Sequence, residues 1–156
     1  MSLDDYKKFH GLALAEILDS SVDIERFRSG NFQLERIAGS VNYLYMVNGD
    51  HCLYFKYSTK KDSPWRFTFT DEHLEGLKSV KKNSTSMNLV LICGFECIAV
   101  LSSTNLEKII DLDTDSTQWI SVKSFHNRSL RIAGSASKLD HTISKSKPFK
   151  GFLESI

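Results

Sequence analysis

The sequence predicts one domain of the α/β (α+β) class, in which helices flank a mixed central β-sheet. Three observations lead to this prediction. The chain has 156 residues, enough for one compact domain with a sizeable apolar core. Helical and strand patterns follow each other in the order helix, several strands, helix, strand pair, helix, strand pair. Asn48-Gly49, between two runs rich in aromatic and β-branched residues, is a strong signal for a tight hairpin.

The first half of the chain predicts one long helix followed by strands. We expect Ser2 or Asp4 to cap the long helix, and Leu12, Ala15, Ile17 and Leu18 to face the core, with Glu16 close to them. The predicted elements are a helix over 4–19, a short helix over 24–28, and strands over 32–37, 41–47, 50–58 and 65–69.

The second half predicts two helices and two further strand pairs. The run Leu89–Cys93 is apolar throughout, which indicates a central strand buried on both faces. The sequence after Gly134 is rich in serine and lysine, so we expect a single domain over 1–156 with a core at about 4–133 and a basic, loose segment at 134–156. The predicted elements are a helix from 71 to about 82 capped by Thr70, strands over 88–93 and 96–102, a helix from Thr104 to about Leu112 opened by a Thr104/Glu107 capping box, and strands over 118–124 and 129–133 that flank a turn at His126-Asn127.

Composition and charge exclude few classes of protein. The formal net charge is +1, and no apolar run approaches the roughly 18 residues of a membrane span. Three cysteines without a preceding secretory signal favour reduced thiols and a cytoplasmic location. A basic stretch near the C-terminus is either an electrostatic footprint for phosphates or a solvated tail. Its cations are Lys123, Arg128, Arg131, Lys138, Lys145, Lys147 and Lys150, against Asp140 alone.

Two strand cations are the best candidates for a site. Lys56 alternates with Leu53, Phe55 and Tyr57, and Arg66 alternates with three aromatic residues of the next strand. If both aromatic faces pack into one core, Lys56 and Arg66 emerge together on the other side of one sheet and hold a phosphate or carboxylate. Lys60 and Lys61, in the turn between the strands, are further candidates for phosphate binding. The alternative is that these cations only lie on a solvated sheet face.

This order of elements, with a lysine in the middle of the strand that ends the hairpin, resembles the restriction-endonuclease-like nuclease core, known for its PD-(D/E)XK motif. The resemblance covers about residues 10–112 and implies that Glu16 is the glutamate of the first helix and Lys56 the motif lysine, both catalytic. It places the two other acidic positions of the motif at Asn42 and Tyr54, which have no carboxylate. The resemblance therefore implies no complete metal site, and magnesium only in an active nuclease.

Two functions follow as hypotheses. The first is a nuclease-like domain that binds nucleic acid and cleaves it weakly or not at all. The second is a non-catalytic α/β module that binds a protein partner or a small anionic ligand, and it is motivated by the missing carboxylates. Residues 55–58 and 63–69 are also similar to stretches in small uncharacterised bacterial proteins, and no activity can be inferred from this similarity. No other cofactor and no membrane partner is expected.

Overall fold

The computed structural model describes residues 4–37, 43–126 and 129–156, and within these ranges it contains five helices and nine strands. The helices are α1 (Asp5–Ser21), α2 (Glu25–Arg28), α3 (Asp71–Asn83), α4 (Ser103–Ile109) and α5 (Lys150–Ser155). The strands are β1 (Leu34–Arg36), β2 (Leu44–Val47), β3 (His51–Ser58), β4 (Trp65–Phe69), β5 (Ser86–Cys93), β6 (Cys97–Ser102), β7 (Gln118–Ser124), β8 (Ser129–Gly134) and β9 (Ile143–Ser144). The predicted mixed α+β class is confirmed.

The strands form two sheets. The first sheet has the order β1-β2-β3-β5-β6, and the second has the order β4-β7-β8-β9. Within the first sheet β3 and β5 are parallel from His51↔Ser86 to Ser58↔Cys93, whereas the other pairs are antiparallel. Parallel neighbours need a crossover connection, because the chain must return to the end of the sheet from which it started. Here β4 and α3 form that crossover.

Three layers enclose two apolar cores. The core that we call the inner core lies between the first sheet on one side and the second sheet with α3 and α4 on the other. The core that we call the helical core lies between the opposite face of the first sheet and α1 with α5. Strand β5 contributes Leu89 and Leu91 to the inner core and Val90 and Ile92 to the helical core. The prediction of a central strand buried on both faces is therefore confirmed.

Two local signals in the sequence are also confirmed. Asn48 and Gly49 have φ angles of 51° and 75°, as the tight turn between β2 and β3 requires. Thr70 caps α3, because its hydroxyl accepts a hydrogen bond from the His73 backbone N–H and its own N–H donates to the His73 side chain. Other predictions concern Ser2, residues 41 and 42 of the predicted strand, and Asn127, which lie outside the described residues.

The inward face of α1 differs from the prediction. Phe9, Ala13 and Ile17 are buried at a spacing of four residues, whereas Leu12 and Leu18 are 40% and 50% exposed. The large Phe9 side chain packs into the core, and the residues four and eight positions after it therefore face the core as well. Of the predicted apolar stripe, Ile17 alone reaches the core. The start of α4 also differs: Ser102 is its N-cap, and the predicted capping box at Thr104 and Glu107 is wrong.

The segment after Gly134 packs onto the domain instead of extending as a loose tail. Strand β9 pairs with β8, and α5 buries Phe152 and Leu153 in the helical core beside Phe149. Arg26 of α2 donates a hydrogen bond of 2.9 Å to the Leu153 carbonyl oxygen. Serines and lysines surround these apolar residues in the sequence, which is why the segment was expected to be loose. Among the described residues, none of the helices combines the length and apolar character of a membrane span.

The turn between β5 and β6 generates a prediction about stability. Gly94 has a φ of +56°, and a Cβ atom built there would lie 2.5 Å from the Lys60 carbonyl oxygen. Gly94→Ala should therefore lower the free energy of unfolding, by at least the roughly 1–2 kcal/mol that a left-handed conformation costs an L-residue. Urea denaturation of the purified protein measures this change.

Gly76→Ala provides the matched control. Gly76 lies within α3, where an added Cβ would meet nothing within 4 Å. This substitution should raise stability by about 0.4–1 kcal/mol, because alanine is the better helix former. Equal effects of the two substitutions would contradict the close approach of Gly94 to Lys60.

Candidate functional site

Lys56 lies where the pairing of β2 with β3 ends. The last register pair of these strands is Leu44↔Tyr54, and the Phe55 N–H still donates to the Tyr43 carbonyl oxygen. Alternation along β3 directs Lys56 to the same side as Tyr54, which belongs to the inner core. A lysine side chain in this position is half-buried at the edge of the packed core.

The ammonium group of Lys56 is held by neutral groups. It donates to the Thr68 carbonyl oxygen at the end of β4 and lies 3.3 Å from Nδ1 of His73 on α3. It also lies 4.4 Å from the centroid of the Phe69 ring, within the range of a cation–π contact. Burial lowers the pKa of Lys56 to about 8. The described residues include no carboxylate within ion-pair distance of it.

The capping of α3 fixes His73 beside Lys56. The Thr70 backbone N–H donates a hydrogen bond of 3.1 Å to His73 Nδ1, so this nitrogen is an acceptor and carries no proton. The pKa of His73 is lowered by burial and by the positive charge of Lys56. The imidazole is therefore neutral at neutral pH and serves as a second acceptor for the ammonium group.

Lys56 and His73 open onto a cavity with aromatic walls. Its volume is about 300 Å³, and four of the five tyrosines of the chain line it. The Tyr43 and Tyr54 ring centroids are 4.7 Å apart. Burial raises the pKa of Tyr54, so its hydroxyl keeps its proton. The lining residues are Tyr6, His10, Tyr43, Tyr54, Phe55, Lys56, Tyr57 and His73.

His10 enters this cavity from α1 as a buried polar residue. It is only 3% exposed, and its Nδ1 lies 2.9 Å from the Tyr45 hydroxyl oxygen. Burial, and then the positive charge of Arg36, lower the pKa of His10 to about 4. The imidazole is thus neutral at physiological pH, and Lys56 is the only charged group among the described residues that line the cavity.

This donor set does not fit magnesium. Mg²⁺ prefers carboxylate, carbonyl and water oxygens, whereas the cavity offers phenols, imidazoles and an amine. Over the described ranges no group of three or more His, Cys, Asp or Glu side chains is arranged to hold a metal ion. Asn42, which the nuclease resemblance matches to the hairpin aspartate, lies outside the described residues. Tyr54 occupies the other acidic position and is buried in the inner core.

The structure does not bring Glu16 together with Lys56. Glu16 is exposed on α1 and lines a different cavity, with Leu12 on its own helix and with Phe95 and Lys145 on the opposite wall. Glu16 was expected close to the core-facing side of its helix, but Phe9, Ala13 and Ile17 occupy that side and Glu16 is exposed. A catalytic role for Glu16 and Lys56 stays a prediction.

Arg66 and Lys56 belong to different sheets, so the prediction that they share one face of one sheet is wrong. Strand β3 already has β2 and β5 as neighbours, and β4 pairs with β7 instead. The residues Trp65, Phe67 and Phe69 are buried in the inner core, and Arg66 points to solvent on the far side of the second sheet.

The two turn lysines also lie away from the cavity. The Lys60 ammonium group donates a hydrogen bond of 2.6 Å to the Pro64 carbonyl oxygen, and Lys61 is exposed in the same turn. Neither residue lines the Lys56 cavity. Their predicted role in phosphate binding stays a prediction.

Arg66 lies on a surface that we call the outer face, formed by the outward-pointing residues of β4, β7 and β8 with the adjacent Phe125. The Arg66 guanidinium lies 4.4 Å from the Trp119 ring centroid. Lys123 and Arg131 are register partners, and the charged ends of both lie 5.6 Å from the Phe125 ring centroid. No described outward-pointing residue of these strands carries a carboxylate. They are Arg66, Thr68, Trp119, Ser121, Lys123, Ser129, Arg131 and Ala133.

Sequence reasoning missed several of these residues. Alternation within residues 118–124 was sufficient to place Trp119 and Lys123 on one face, and the predicted hairpin was sufficient to add Arg131. The pairing of β4 with β7 could not be found in this way, because nearly fifty residues separate the two strands. Of the cavity tyrosines, Tyr43, Tyr54 and Tyr57 belong to the β2–β3 hairpin, whereas Tyr6 comes from α1, which is distant in the sequence.

Comparisons with known proteins give one structural likeness. No protein-family model and no curated protein matches the chain. Among solved structures, the chain is similar to Hjc, a Holliday junction resolvase from the archaeal hyperthermophile Archaeoglobus fulgidus. The TM-score is 0.46 and the sequence identity 13%, over 74% of this chain and 83% of that chain.

The buried His10 generates a prediction about pH. Its pKa in the folded protein, about 4, is below the ordinary value of 6.5, so the unfolded state binds more protons between these values. Stability should therefore fall as the pH is lowered from 6.5 to 4. His10→Gln should remove roughly 2 kcal/mol of this loss, a figure reduced for screening by solvent at the cavity mouth.

Urea denaturation at a series of pH values measures this effect. The informative quantity is the difference between the parent and the variant, since carboxylates titrate in both proteins over the same range. Parallel stability curves for the two proteins would show that His10 gains its proton in the folded state as easily as in the unfolded state.

Proposed function

We propose that this domain binds single-stranded nucleic acid on the outer face of the second sheet and does not hydrolyse it with a metal ion. The observation that supports binding is the combination of three cations and two aromatic rings on a face whose described outward-pointing residues include no acidic side chain. Lysine and arginine bind phosphates, and exposed aromatic rings and guanidinium planes stack with unpaired bases.

The geometry of the outer face favours a single strand over a duplex. An antiparallel sheet presents a broad, slightly twisted surface, and its aromatic side chains can stack only with bases that are not already paired. Trp119 and Phe125 lie at opposite ends of β7, with Arg66 beside the first and Arg131 beside the second. This arrangement offers two stacking positions, each with an adjacent cation for the phosphate backbone.

We expect single-stranded oligonucleotides to bind more tightly than a duplex of the same length, with an affinity that falls linearly on a logarithmic salt scale. The double variant Arg66→Gln/Arg131→Gln should weaken binding and reduce the magnitude of the salt slope by about 1.4, since each single-strand phosphate contact contributes about 0.7. Fluorescence anisotropy with labelled DNA and RNA at several salt concentrations measures both quantities.

The matched control removes the same charge elsewhere. Lys82 and Lys108 are exposed residues of α3 and α4, away from the outer face. Lys82→Gln/Lys108→Gln should leave the salt slope unchanged. If the two double variants changed the salt slope equally, the binding would be nonspecific electrostatic attraction. A salt-independent association would indicate a protein partner instead.

Stacking has a separate readout in the tryptophan fluorescence. Trp65 is 1% exposed, so quenching by an added oligonucleotide reports on Trp119. Trp119→Ala should weaken binding by about 1–3 kcal/mol, while Trp119→Phe should lose the quenching and keep most of the affinity. Binding without quenching of Trp119 would argue against base stacking at this position.

A second prediction concerns catalysis. We expect no magnesium-dependent cleavage of plasmid or single-stranded substrates beyond the background of the Lys56→Ala variant, because none of the described residues that line the Lys56 cavity has a carboxylate to hold the ion. Gel analysis after long incubation with Mg²⁺ or Mn²⁺ tests this expectation. Robust cleavage that Lys56→Ala abolishes would show that carboxylates reach Lys56 from elsewhere in the protein.

A further inference from the structure

The ammonium group of Lys56 has one N–H donor that is not directed to any of the described residues. A lysine has three N–H donors, and two of them are directed to the Thr68 carbonyl oxygen and to His73 Nδ1. Both acceptors are neutral, so the positive charge of this half-buried group is not balanced by any carboxylate among the described residues. A partly desolvated, unpaired cation is costly, and an anion that enters the cavity would offset that cost.

The walls of the cavity determine which uncharged part of such a ligand fits beside its anionic group. The six lining residues other than Lys56 and His73 all have aromatic or imidazole side chains. The His10 ring lies within ring-contact distance of Tyr6, Phe55 and Tyr57. Tyr57 also stacks on Phe9, with 5.0 Å between the ring centroids, and this contact restricts the position of the Tyr57 ring. Such walls favour a planar ring, through stacking and edge-to-face contacts.

The size and polarity of the cavity limit the ligand further. A volume of about 300 Å³ lies at the lower end of the range for small-molecule sites. The tyrosine hydroxyls supply hydrogen bonds at the walls, whereas the described lining residues offer a divalent cation no carboxylate. Lys56 is the one charged group among the described lining residues, which suits a ligand with one anionic group.

We propose that the Lys56 cavity binds a small anion carried on a planar ring, with its carboxylate or phosphate at the Lys56 ammonium group and its ring between the tyrosine walls. This inference is independent of nucleic-acid binding at the outer face. None of the outer-face residues lines the cavity, and Arg66 points away from the inner core to which Lys56 points.

The first experiment compares defined probes by NMR with ¹³C-labelled tyrosine. The ring anions are 4-hydroxybenzoate, an aromatic carboxylate, and adenosine 5′-monophosphate, a nucleotide. Their neutral analogues are 4-hydroxybenzamide and adenosine, and the anions without a ring are acetate and inorganic phosphate. Shifts are expected for Tyr6, Tyr43, Tyr54 and Tyr57, with smaller ones for Tyr45, which does not line the cavity.

At least one ring anion should bind with a dissociation constant tenfold or more below those of its neutral analogue and of the anion without a ring. The ring anion that does so identifies the ligand as an aromatic carboxylate or a nucleotide. The proposal is overturned if neither ring anion meets this criterion, or if the shifts are confined to residues outside the cavity.

Variants then test the role of Lys56. Lys56→Met should weaken binding of the ring anion tenfold or more, whereas Lys82→Met, a change of the same type on the exposed side of α3, should have no effect. Lys56→Met should leave oligonucleotide binding unchanged, and Arg66→Gln/Arg131→Gln should leave binding of the ring anion unchanged. Failure of the cavity proposal is thereby distinguished from failure of the outer-face proposal. Unchanged ring-anion affinity in Lys56→Met overturns the cavity proposal.

The pH dependence supplies a readout on the unmodified protein. Because the pKa of Lys56 is about 8, the affinity should be constant from pH 6.5 to 7.5 and then fall towards tenfold per pH unit above 8.5. The pKa values of His10 and His73 are lowered and that of Tyr54 is raised, so none of these three groups changes its charge between pH 6.5 and 8.5. The other titratable groups that face this region are Glu72 of α3, Tyr57 of β3, Tyr43, and Tyr6 of α1. An affinity that stays constant up to pH 10 contradicts binding at Lys56.

Discussion

The fold depends on the burial of β5 on both of its faces. Leu89 and Leu91 pack against the second sheet, and Val90 and Ile92 pack against α1 and α5. Full burial of each such side chain contributes about 1.5–3 kcal/mol relative to exposure, so this strand alone stabilises both cores. Every other element of the described part either pairs with β5, as β3 and β6 do, or covers one of the two cores.

The site at Lys56 is a consequence of this arrangement. Because β3 runs parallel to β5, the chain must leave the first sheet after Ser58 and cross over its face as β4 and α3. The crossover places the end of β4 and the first turn of α3 directly above Lys56. Thr68 and His73 are thus brought to the ammonium group by the topology, and no residue adjacent to Lys56 in the sequence holds its charge.

The sequence was most informative where a structural choice is local. The hairpin at Asn48-Gly49 and the N-cap at Thr70 rest on φ angles and hydrogen bonds within a few residues, and a continuous apolar run can hardly be anything but buried. Alternation also predicted which face of each strand carries Lys56 or Arg66. It could not predict that β3 and β4 belong to different sheets, because this choice is made by β5 and β7, which are distant in the sequence.

The errors in α1 and at the C-terminus have a related cause. In both segments, packing against the rest of the fold decides which apolar residues are buried. Phe9 fills a position beside Tyr57, which turns Glu16 towards solvent. Phe149, Phe152 and Leu153 are three apolar residues in a stretch of serines and lysines, and their burial depends on α1 being in place.

The outer face of the second sheet needs polar residues in any case, since alternation that buries Trp65, Phe67 and Phe69 must expose the residues between them. Solubility alone, however, does not account for its composition. The chain has 19 acidic and 20 basic residues, and ordinary protein surfaces mix the two kinds. The described outward-pointing residues of this face instead combine basic side chains with Trp119 and Phe125. Aromatic rings on a solvated sheet face lose burial, so the combination is better explained by a ligand that has both negative charge and flat apolar surfaces.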